Sequence, residues 1–383
     1  MIVIFQTIFS VFSFLYLTAT AFLYSGLKRL SKSSGKRNTR NYSFSIVIAA
    51  RNEEANILAC LESVCSQTID KSRYEVVLVD DRSTDRTFKF AQDFAAVHSN
   101  VKVVPVYKTM PGISPKKYAV SLGIKTAENE IIVFTDADCR VKTTWLETVN
   151  SGFDENTGLV QGITTYSRIE GINDFLFNFQ AVDFLSHGII AAAAIGAKFT
   201  LNSNASNMSF RKSAFDAVGG YGLAGSVVSG DDDLLLQRIW KSKKWNIKYM
   251  TDASGAVYTF PAKLFNDMFE QRKRWGSKTV HYTRPQMIFL GAIFFFYLCI
   301  PASMIAALFF PILWISAICL LIVKLIGEYM LLLPGMKMFD KSELLKYIIP
   351  GSILQLPMVL CAVVIGVFFK FVWKGGTYKR KIK

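Results

Sequence analysis

Charged side chains are missing from three long stretches of this sequence, and their absence excludes a wholly soluble protein. Residues 1–25, 286–323 and 347–369 contain none. Each stretch is long enough to cross a hydrocarbon core of about 30 Å as a helix. Of the 383 residues, 51% are hydrophobic, whereas residues 40–284 have the composition of an ordinary soluble protein. The sequence therefore predicts a membrane protein with a large soluble insert.

The sequence also lacks the cysteine spacings that are typical of metal-binding sites, and it lacks the standard nucleic-acid-binding motifs. The six cysteines form neither a zinc pattern nor a disulfide framework, which indicates a reduced, cytosol-facing domain. They are Cys60, Cys65, Cys139, Cys299, Cys319 and Cys361. The net charge of +15 could indicate a nucleic-acid partner, but the cations crowd at the edges of the apolar stretches. We therefore expect anionic lipid headgroups, and no nucleic acid, as their partner.

The first apolar stretch lacks the basic start and the small-residue cleavage site of a secretory signal. A cluster of cations follows it, and the positive-inside rule places that cluster in the cytoplasm. We expect a transmembrane anchor (1–27), a basic linker (28–43), a cytosolic domain with interfacial helices (44–284), a C-terminal region of two to three spans (285–373) and a basic tail (374–383). Three C-terminal spans would leave the tail outside, whereas its cations favour the cytoplasm, so the topology stays open.

Between residues 44 and 139, short apolar runs alternate with segments whose apolar residues recur at helical spacing. Runs rich in β-branched residues predict buried strands over 44–50, 74–81, 101–106 and 130–139. Helices are predicted between them, the first capped by Asn52 and the later ones over 86–96 and 115–127. Strands that are apolar throughout indicate an α/β fold with a mostly parallel, doubly wound sheet covered on both faces. In such sheets ligands bind at the carboxyl ends of the strands.

Paired acids follow two of these strands. Asp80 and Asp81 end the second, where a simple turn is the alternative interpretation, and Asp136 and Asp138 end the fourth. Two carboxylates this close repel each other unless a cation is present, and a hard divalent cation that holds a diphosphate meets that need. A third acidic set, residues 231–233, opens an amphipathic helix. Capping of that helix against its dipole is the alternative there.

Five motifs occur in an order that is typical of one family: "FSIVIAARNEE", "VVLVDDRSTDRT", "FTDADC", "GDDDLLL" and "QRKRW". Together they resemble the membrane-embedded family 2 glycosyltransferases over about residues 43–280. The resemblance implies the A-type glycosyltransferase fold, flanked by transmembrane helices, and an inverting reaction that depends on a nucleotide sugar. In its compact size and its small number of spans, the sequence is most similar to the ceramide-glucosyltransferase-like branch of the family.

The resemblance implies a donor site for a UDP-sugar in the first half of the chain. Asp81, with Asp80 beside it, would contact the uracil or the ribose. The start of "ARNEE" would close over the nucleoside, through Ala50, Arg51 and Glu53.

The same resemblance implies a diphosphate and metal site. Lys116 matches the basic residue near the diphosphate, although the adjacent Lys117 leaves open which lysine acts. Asp138, together with Asp136, would hold Mg²⁺ or Mn²⁺ against the diphosphate, and Ala137 lies between them in the motif.

The last two motifs imply the catalytic base and the acceptor end of the site. In "GDDDLLL" the family's general base corresponds to Asp232. The Q-x-x-R-W motif, which lines the acceptor and diphosphate end in the family, is matched by Gln271, Arg274 and Trp275. Arg272 and Lys273 match no motif position, and we expect these two cations to face lipid.

These residues lead to one principal hypothesis. A multi-pass hexosyltransferase of the cytoplasmic membrane, with its catalytic domain in the cytoplasm, moves a sugar from a UDP-sugar to a lipid acceptor. The alternative is a processive synthase that extends and secretes a β-linked glycan. Its channel would require a homo-oligomer or a partner subunit, because three or four spans are few. A non-catalytic membrane scaffold is a further alternative, and the intact acids disfavour it.

Other features within apolar segments remain open to two interpretations. Residues 181–200 favour an interfacial amphipathic helix near the acceptor entrance over a span. His187 could orient an acceptor or be an ordinary surface histidine, and Asn207 is expected to line the acceptor pocket. Lys324 and Glu328, four residues apart, either neutralise each other on one helix face or mark where a span leaves the bilayer.

Overall fold

Two units alternate along the chain. The computed structural model describes residues 2–33, 40–222, 225, 230–369, 371–373 and 376–378. The helical unit comprises residues 1–29, 172–199 and 262–383, and the sheet unit comprises residues 30–171 and 200–261. Parts of the predicted basic linker (34–39) and basic tail (374–375 and 379–383) lie outside the described residues. The five predicted segments therefore stay a prediction.

Ten strands form the framework of the sheet unit. They are β1 (Phe44–Ala50), β2 (Tyr74–Asp80), β3 (Val101–Pro105), β4 (Ile131–Phe134), β5 (Arg140–Val141), β6 (Thr157–Gln161), β7 (Thr164–Tyr166), β8 (Met208–Arg211), β9 (Asn246–Tyr249) and β10 (Val257–Thr259). The main sheet has the order β3-β2-β1-β4-β8-β6-β9, and a smaller sheet has the order β5-β10-β7. In the main sheet all neighbours are parallel except the two pairs made by β8. The predicted α/β fold with a mostly parallel sheet is confirmed.

Helices cover both faces of this sheet. They are α2 (Ile57–Cys65), α3 (Thr87–Ala96), α4 (Pro115–Thr126), α5 (Trp145–Gly152), α7 (Lys212–Ala217) and α8 (Asp233–Ser242). Ile46 and Ile48 of β1 pack towards α2 and α5, and Val47 packs towards α4 on the other face. A Cβ atom at Gly123 would lie 2.5 Å from Val47, so α4 packs directly on β1. This contact fixes the position of α4, whose first turn carries Lys116.

Two local predictions in this unit were wrong. The predicted fourth strand ends at Phe134 rather than at residue 139, so the acids that follow leave the sheet. Asn52 does not cap α2, which begins at Ile57. Asn52 has a positive φ of 54° and accepts a hydrogen bond from the amide of Thr84. Asparagine tolerates this left-handed conformation better than most residues, and here it connects two loops.

Long helices dominate the helical unit. They are α1 (Ile2–Ser33), α6 (Asp174–Gly196), α9 (Phe265–Ser277), α10 (Arg284–Ala307), α11 (Leu313–Met338) and α12 (Ile348–Phe368); two short strands, β11 (Phe371–Trp373) and β12 (Gly376–Tyr378), follow. Among the described residues, five helical segments are long and apolar enough to cross a membrane: Ile2–Lys32, Asp174–Gly196, Arg284–Ala307, Leu313–Met338 and Ser342–Phe368. The second includes most of the stretch expected to be interfacial, and its location at the interface stays a prediction.

Lys324 and Glu328 form an ion pair within α11, which confirms that they neutralise each other. Lys324 is 1% exposed, and its ammonium also donates to the carbonyl and the hydroxyl of Ser352, over 3.0 and 2.7 Å. Tyr297 donates to Glu328 over 3.0 Å. Both charges are therefore compensated inside an apolar helix, as buried charges require.

Candidate active site

The carboxyl ends of β1 and β2 lie side by side, and polar loops follow both. Ala50 is paired with Asp80 in the sheet register, and the amide of Asp81 donates to the carbonyl of Ala50 over 2.8 Å. On the neighbouring strand, Phe134 is paired with Val47, and the acids Asp136 and Asp138 follow it at the same edge. This is the edge at which a parallel sheet binds its ligands.

Hydrogen bonds tie the loop after β1 to the loop after β2. In each bond a backbone amide of one loop donates to a side-chain oxygen of the other. The donors and acceptors are Asn52 and Ser83 (3.0 Å), Glu53 and Thr87 (2.7 Å), Glu54 and Asp85 (3.1 Å), and Thr84 and Asn52 (2.9 Å). The half-buried Arg51 and Glu53 therefore belong to a loop whose backbone is fixed. A fixed loop of this kind can close one side of a nucleoside site.

Asp80 and Asp81 are both almost fully buried, at 5% and 6% exposure. Oδ2 of Asp80 accepts from the amide of Ser83 over 3.1 Å, whereas its buried Oδ1 accepts no hydrogen bond from the residues that the structure describes. Asp81 is paired with Arg82, 2.7 Å away. A buried carboxylate oxygen without a donor is costly unless a ligand supplies one. Asp80 is therefore the better candidate to accept from an N–H or O–H of a bound nucleoside.

Lys116 connects two of the predicted acidic sets. Its ammonium lies 3.0 Å from Oδ1 of Asp136 and 3.1 Å from Oδ2 of Asp231. Burial by itself would lower the pKa of Lys116, but the two carboxylates outweigh that effect and hold the pKa well above its usual range. Lys117 is fully buried, with its ammonium 5.8 Å from the centroid of the Tyr221 ring. The structure therefore brings the ammonium of Lys116 to two of the predicted acids.

Asp136, Asp138 and Cys139 form a cluster that could hold a metal ion. Their potential ligand atoms lie within 4.8 Å of one another. Burial, reinforced by the two carboxylates, raises the pKa of the Cys139 thiol well above its usual range. The remaining donors are carboxylate oxygens, which suit Mg²⁺ or Mn²⁺. Cys139 and Thr259, which donates to Asp138 over 3.3 Å, were not predicted.

The three acids at the start of α8 have different surroundings. Asp233 is fully buried and accepts from the amide of Ser203 over 2.5 Å, so it holds the fold together. Asp232 caps the helix by accepting from the amide of Asp233 over 2.7 Å, and its other oxygen accepts from the amide of Ala205 over 3.2 Å. Helix capping is therefore part of its role. The same two bonds fix the carboxylate next to Asp231, the partner of Lys116.

Asn207 does not line a pocket, and that prediction was wrong. The residue is fully buried, and its amide donates to the carbonyls of Ile163 and Gly255 over 2.7 and 2.9 Å. Its side-chain oxygen accepts from the indole of Trp145 over 3.0 Å. Every polar atom of the side chain is thus engaged, and it connects α5 to the segments that precede β7 and β10.

The motif "QRKRW" lies on α9, in the helical unit. Gln271, Arg274 and Trp275 are half-buried. The Trp275 ring contacts its own unit: its centroid lies 5.8 Å from that of Phe184 and 5.5 Å from that of His187, which meets it edge-on. His187 is half-buried rather than an ordinary surface residue.

Arg272 and Lys273 do not face lipid, contrary to expectation. They are 5% and 9% exposed, because each has an acidic partner inside the unit. Arg272 is paired with Asp183 of α6 at 2.5 Å, and Lys273 is paired with Glu270 one helical turn away.

Comparison with known proteins extends this description. The family model of glycosyl transferase family 2 matches residues 45–216, and that of glycosyl transferase family group 2 matches residues 131–369. Glycosyltransferase AglE of Haloferax volcanii is 25% identical over 257 residues, which cover 65% of this chain and 77% of AglE.

Shorter matches join the chain to two larger relatives. The poly(ribitol-phosphate) beta-glucosyltransferase of Bacillus spizizenii is 34% identical over 34% of this chain and 19% of its own length. The beta-monoglucosyldiacylglycerol synthase of Nostoc sp. is 32% identical over 30% of this chain and 25% of its own length. Among solved structures, the mannosyltransferase PcManGT of Pyrobaculum calidifontis, in complex with GDP-Man and Mn²⁺, shares the fold with a TM-score of 0.58 at 17% identity, over 94% of this chain and 97% of that one.

Proposed function

The chain belongs to glycosyl transferase family group 2, and from that premise we propose that it moves a sugar, with inversion, from a UDP-sugar to a membrane lipid at the cytoplasmic face. It is a family 2 glycosyltransferase, an enzyme with a nucleotide-sugar donor. The single observation that carries the finer proposal is the bridge that Lys116 makes between Asp136 and Asp231. This bridge joins the donor-side acids to the acidic set that contains the proposed base, Asp232.

Asp138 and Asp136 are the residues that would hold Mg²⁺ or Mn²⁺. The donor set fits a hard cation, since it offers two carboxylates. A bound divalent ion would supply charge neutralisation for the diphosphate of the donor. The unpaired buried oxygen of Asp80 would accept from the nucleoside, with Asp81 beside it and the fixed loop from Ala50 to Glu53 closing that side.

The proposed chemistry is one displacement at the anomeric carbon. Asp232 takes the proton of an acceptor hydroxyl while the acceptor oxygen forms its bond to that carbon. The bond from the carbon to the diphosphate oxygen breaks on the opposite face, so the configuration inverts. Lys116 stabilises the charge that develops on the departing diphosphate. By the family motif, Arg274 adds a second cation, and Gln271 and Trp275 bind the acceptor.

A lipid acceptor is supported by two observations. Five described helices are long and apolar enough to cross a membrane, which keeps the enzyme next to lipid. The Nostoc relative is named for a diacylglycerol product. The Bacillus relative is named for a polymer acceptor, so a polymeric product is the outcome against which the proposal is tested.

The test is to incubate membranes that contain the protein with radiolabelled UDP-glucose or UDP-N-acetylglucosamine and a divalent cation. We expect label in the organic-soluble lipid fraction and none when Asp232→Asn replaces the wild type. Asp216→Asn, which changes an exposed aspartate of the same unit, is the matched control and should retain transfer. Label that appears only in high-mass polymer would contradict the lipid acceptor.

A further inference from the structure

A buried ion pair joins helix α6 to the "QRKRW" helix α9, and the chemistry proposed above does not use it. We infer that Asp183 and Arg272 are positioning residues, whose paired charges fix the side chains of Gln271 and Trp275 in the geometry that transfer needs. This rests on the proposed function, because it takes Gln271 and Trp275 as part of the transfer site.

The pair is held tightly on the carboxylate side. Asp183 of α6 is 3% exposed and Arg272 of α9 is 5% exposed. Nε of Arg272 donates to Oδ2 of Asp183 over 2.7 Å, and Nη2 lies 2.5 Å from the same oxygen. Gln355 of α12 donates to the other oxygen of Asp183 over 3.4 Å. Two other helices of the unit thus determine where the guanidinium of Arg272 lies.

The same guanidinium contacts two residues of the Q-x-x-R-W motif. Its Nη1 donates to Oε1 of Gln271 over 2.7 Å, and its central carbon lies 4.1 Å from the centroid of the Trp275 ring. Only a planar group with several donors can pair with a carboxylate, bond an amide and cover a ring at once; an ammonium is a point charge. Phe184 and His187 of α6 contact the same ring. Helix α6 therefore orients Trp275 both directly and through Arg272.

A purely structural role is the alternative, and the helical unit offers a comparison. Buried ion pairs are not in general stabilising, since apolar replacements are often neutral or better. Lys324 and Glu328 form a second buried pair, whose hydrogen-bond partners are Ser352 and Tyr297 and not motif residues. Both pairs bury opposite charges, whereas Asp183 and Arg272 also contact Gln271 and Trp275. The second pair is thus a matched control.

The experiment uses the full-length protein with radiolabelled UDP-glucose and UDP-N-acetylglucosamine, and measures kcat, KM, UDP affinity and thermal unfolding for each variant. Arg272→Lys keeps a charge beside Asp183 but loses the bond to Gln271 and the planar cover of Trp275. We expect it to bind UDP as the wild type does, with kcat lower by about 10²-fold, the scale of a small misplacement of reacting groups. Glu328→Gln should lower the unfolding temperature and leave kcat unchanged.

A charge swap separates positioning from stability. Asp183→Arg combined with Arg272→Asp restores the ion pair but moves the guanidinium to α6, away from its contacts with Gln271 and Trp275. We expect this double variant to regain the thermal stability lost in Asp183→Asn while kcat stays low. Recovery of both would overturn the inference, because the pair would then be structural only.

Two further outcomes keep the inference and the proposed function apart. If the double variant does not fold, Arg272→Lys decides, since a wild-type kcat in that variant would overturn the inference. A wild-type protein that transfers no label, or that transfers as well when Asp232 is replaced by Asn, would instead overturn the proposed function.

Discussion

Replacing Lys116 by Met tests whether this lysine and a divalent cation compete for the same carboxylate. The ammonium of Lys116 lies 3.0 Å from Asp136 and 3.1 Å from Asp231, and 25% of its side chain is exposed. Met keeps most of the apolar stem and removes the charge. In the wild type, a cation that binds Asp136 must weaken an existing ion pair, and in Lys116→Met it does not.

The size of the effect follows from the contact that is lost. A hydrogen bond to a charged group contributes about 1.5–3 kcal/mol, and the partial exposure of Lys116 favours the lower figure. Since about 1.4 kcal/mol is a factor of ten in affinity, we expect Mn²⁺ to bind Lys116→Met about tenfold more tightly when no donor is present. Transfer should nevertheless fall by at least about 10²-fold, because a cation that stabilises the departing diphosphate is gone.

The assay titrates Mn²⁺ into the full-length protein in detergent and follows binding by calorimetry, with sugar transfer measured in parallel. Lys125→Met, which changes an exposed lysine on the same helix, is the control and should alter neither quantity. Mn²⁺ affinity that is unchanged or weaker in Lys116→Met would refute the competition and, with it, our interpretation of the bridge between the two acids.

Three further predictions follow from the sheet unit. Asp138→Asn should abolish transfer and weaken UDP binding in the presence of Mg²⁺ or Mn²⁺, because a charged oxygen ligand is lost; full activity in a chelator would exclude a metal at this site. Asp232→Asn should keep UDP affinity and lower kcat by at least about 10²-fold; a parallel loss of UDP affinity would assign Asp232 to the nucleotide site. Asn207→Ala should lower the free energy of unfolding by roughly 3 kcal/mol, because Trp145 and two carbonyls lose their partner; normal stability with lost transfer would return Asn207 to the acceptor pocket.

Local sequence patterns were sufficient to predict the sheet and the acids at its edge. The four predicted strands are β1 to β4, and the alternation of strands and helices determined which ends carry polar loops. Asp80 and Asp136 could be identified because they lie at or just beyond the end of a strand, whereas Lys116 was identified through the family motif that it matches. Their burial and pairing could not be predicted, because these depend on neighbours that the chain brings from other motifs.

Two of the errors concern side chains whose partners are distant in sequence. Arg272 was expected to face lipid because it matches no motif position, but its partner Asp183 is 89 residues away. Asn207 was expected in a pocket, and the indole that it binds, that of Trp145, is 62 residues away. A charged or polar residue next to a motif can therefore be assigned to surface or core only when its tertiary partner is known.

The anomeric configuration of the product tests the central claim most directly. The measurement is the NMR coupling constant of the anomeric proton in the glycolipid that wild-type membranes form from UDP-glucose. In the donor, UDP-glucose, the sugar is α-linked. Inverting transfer to a lipid predicts a β-linked sugar in the organic-soluble fraction. An α-linked lipid product would contradict the single displacement assisted by Asp232.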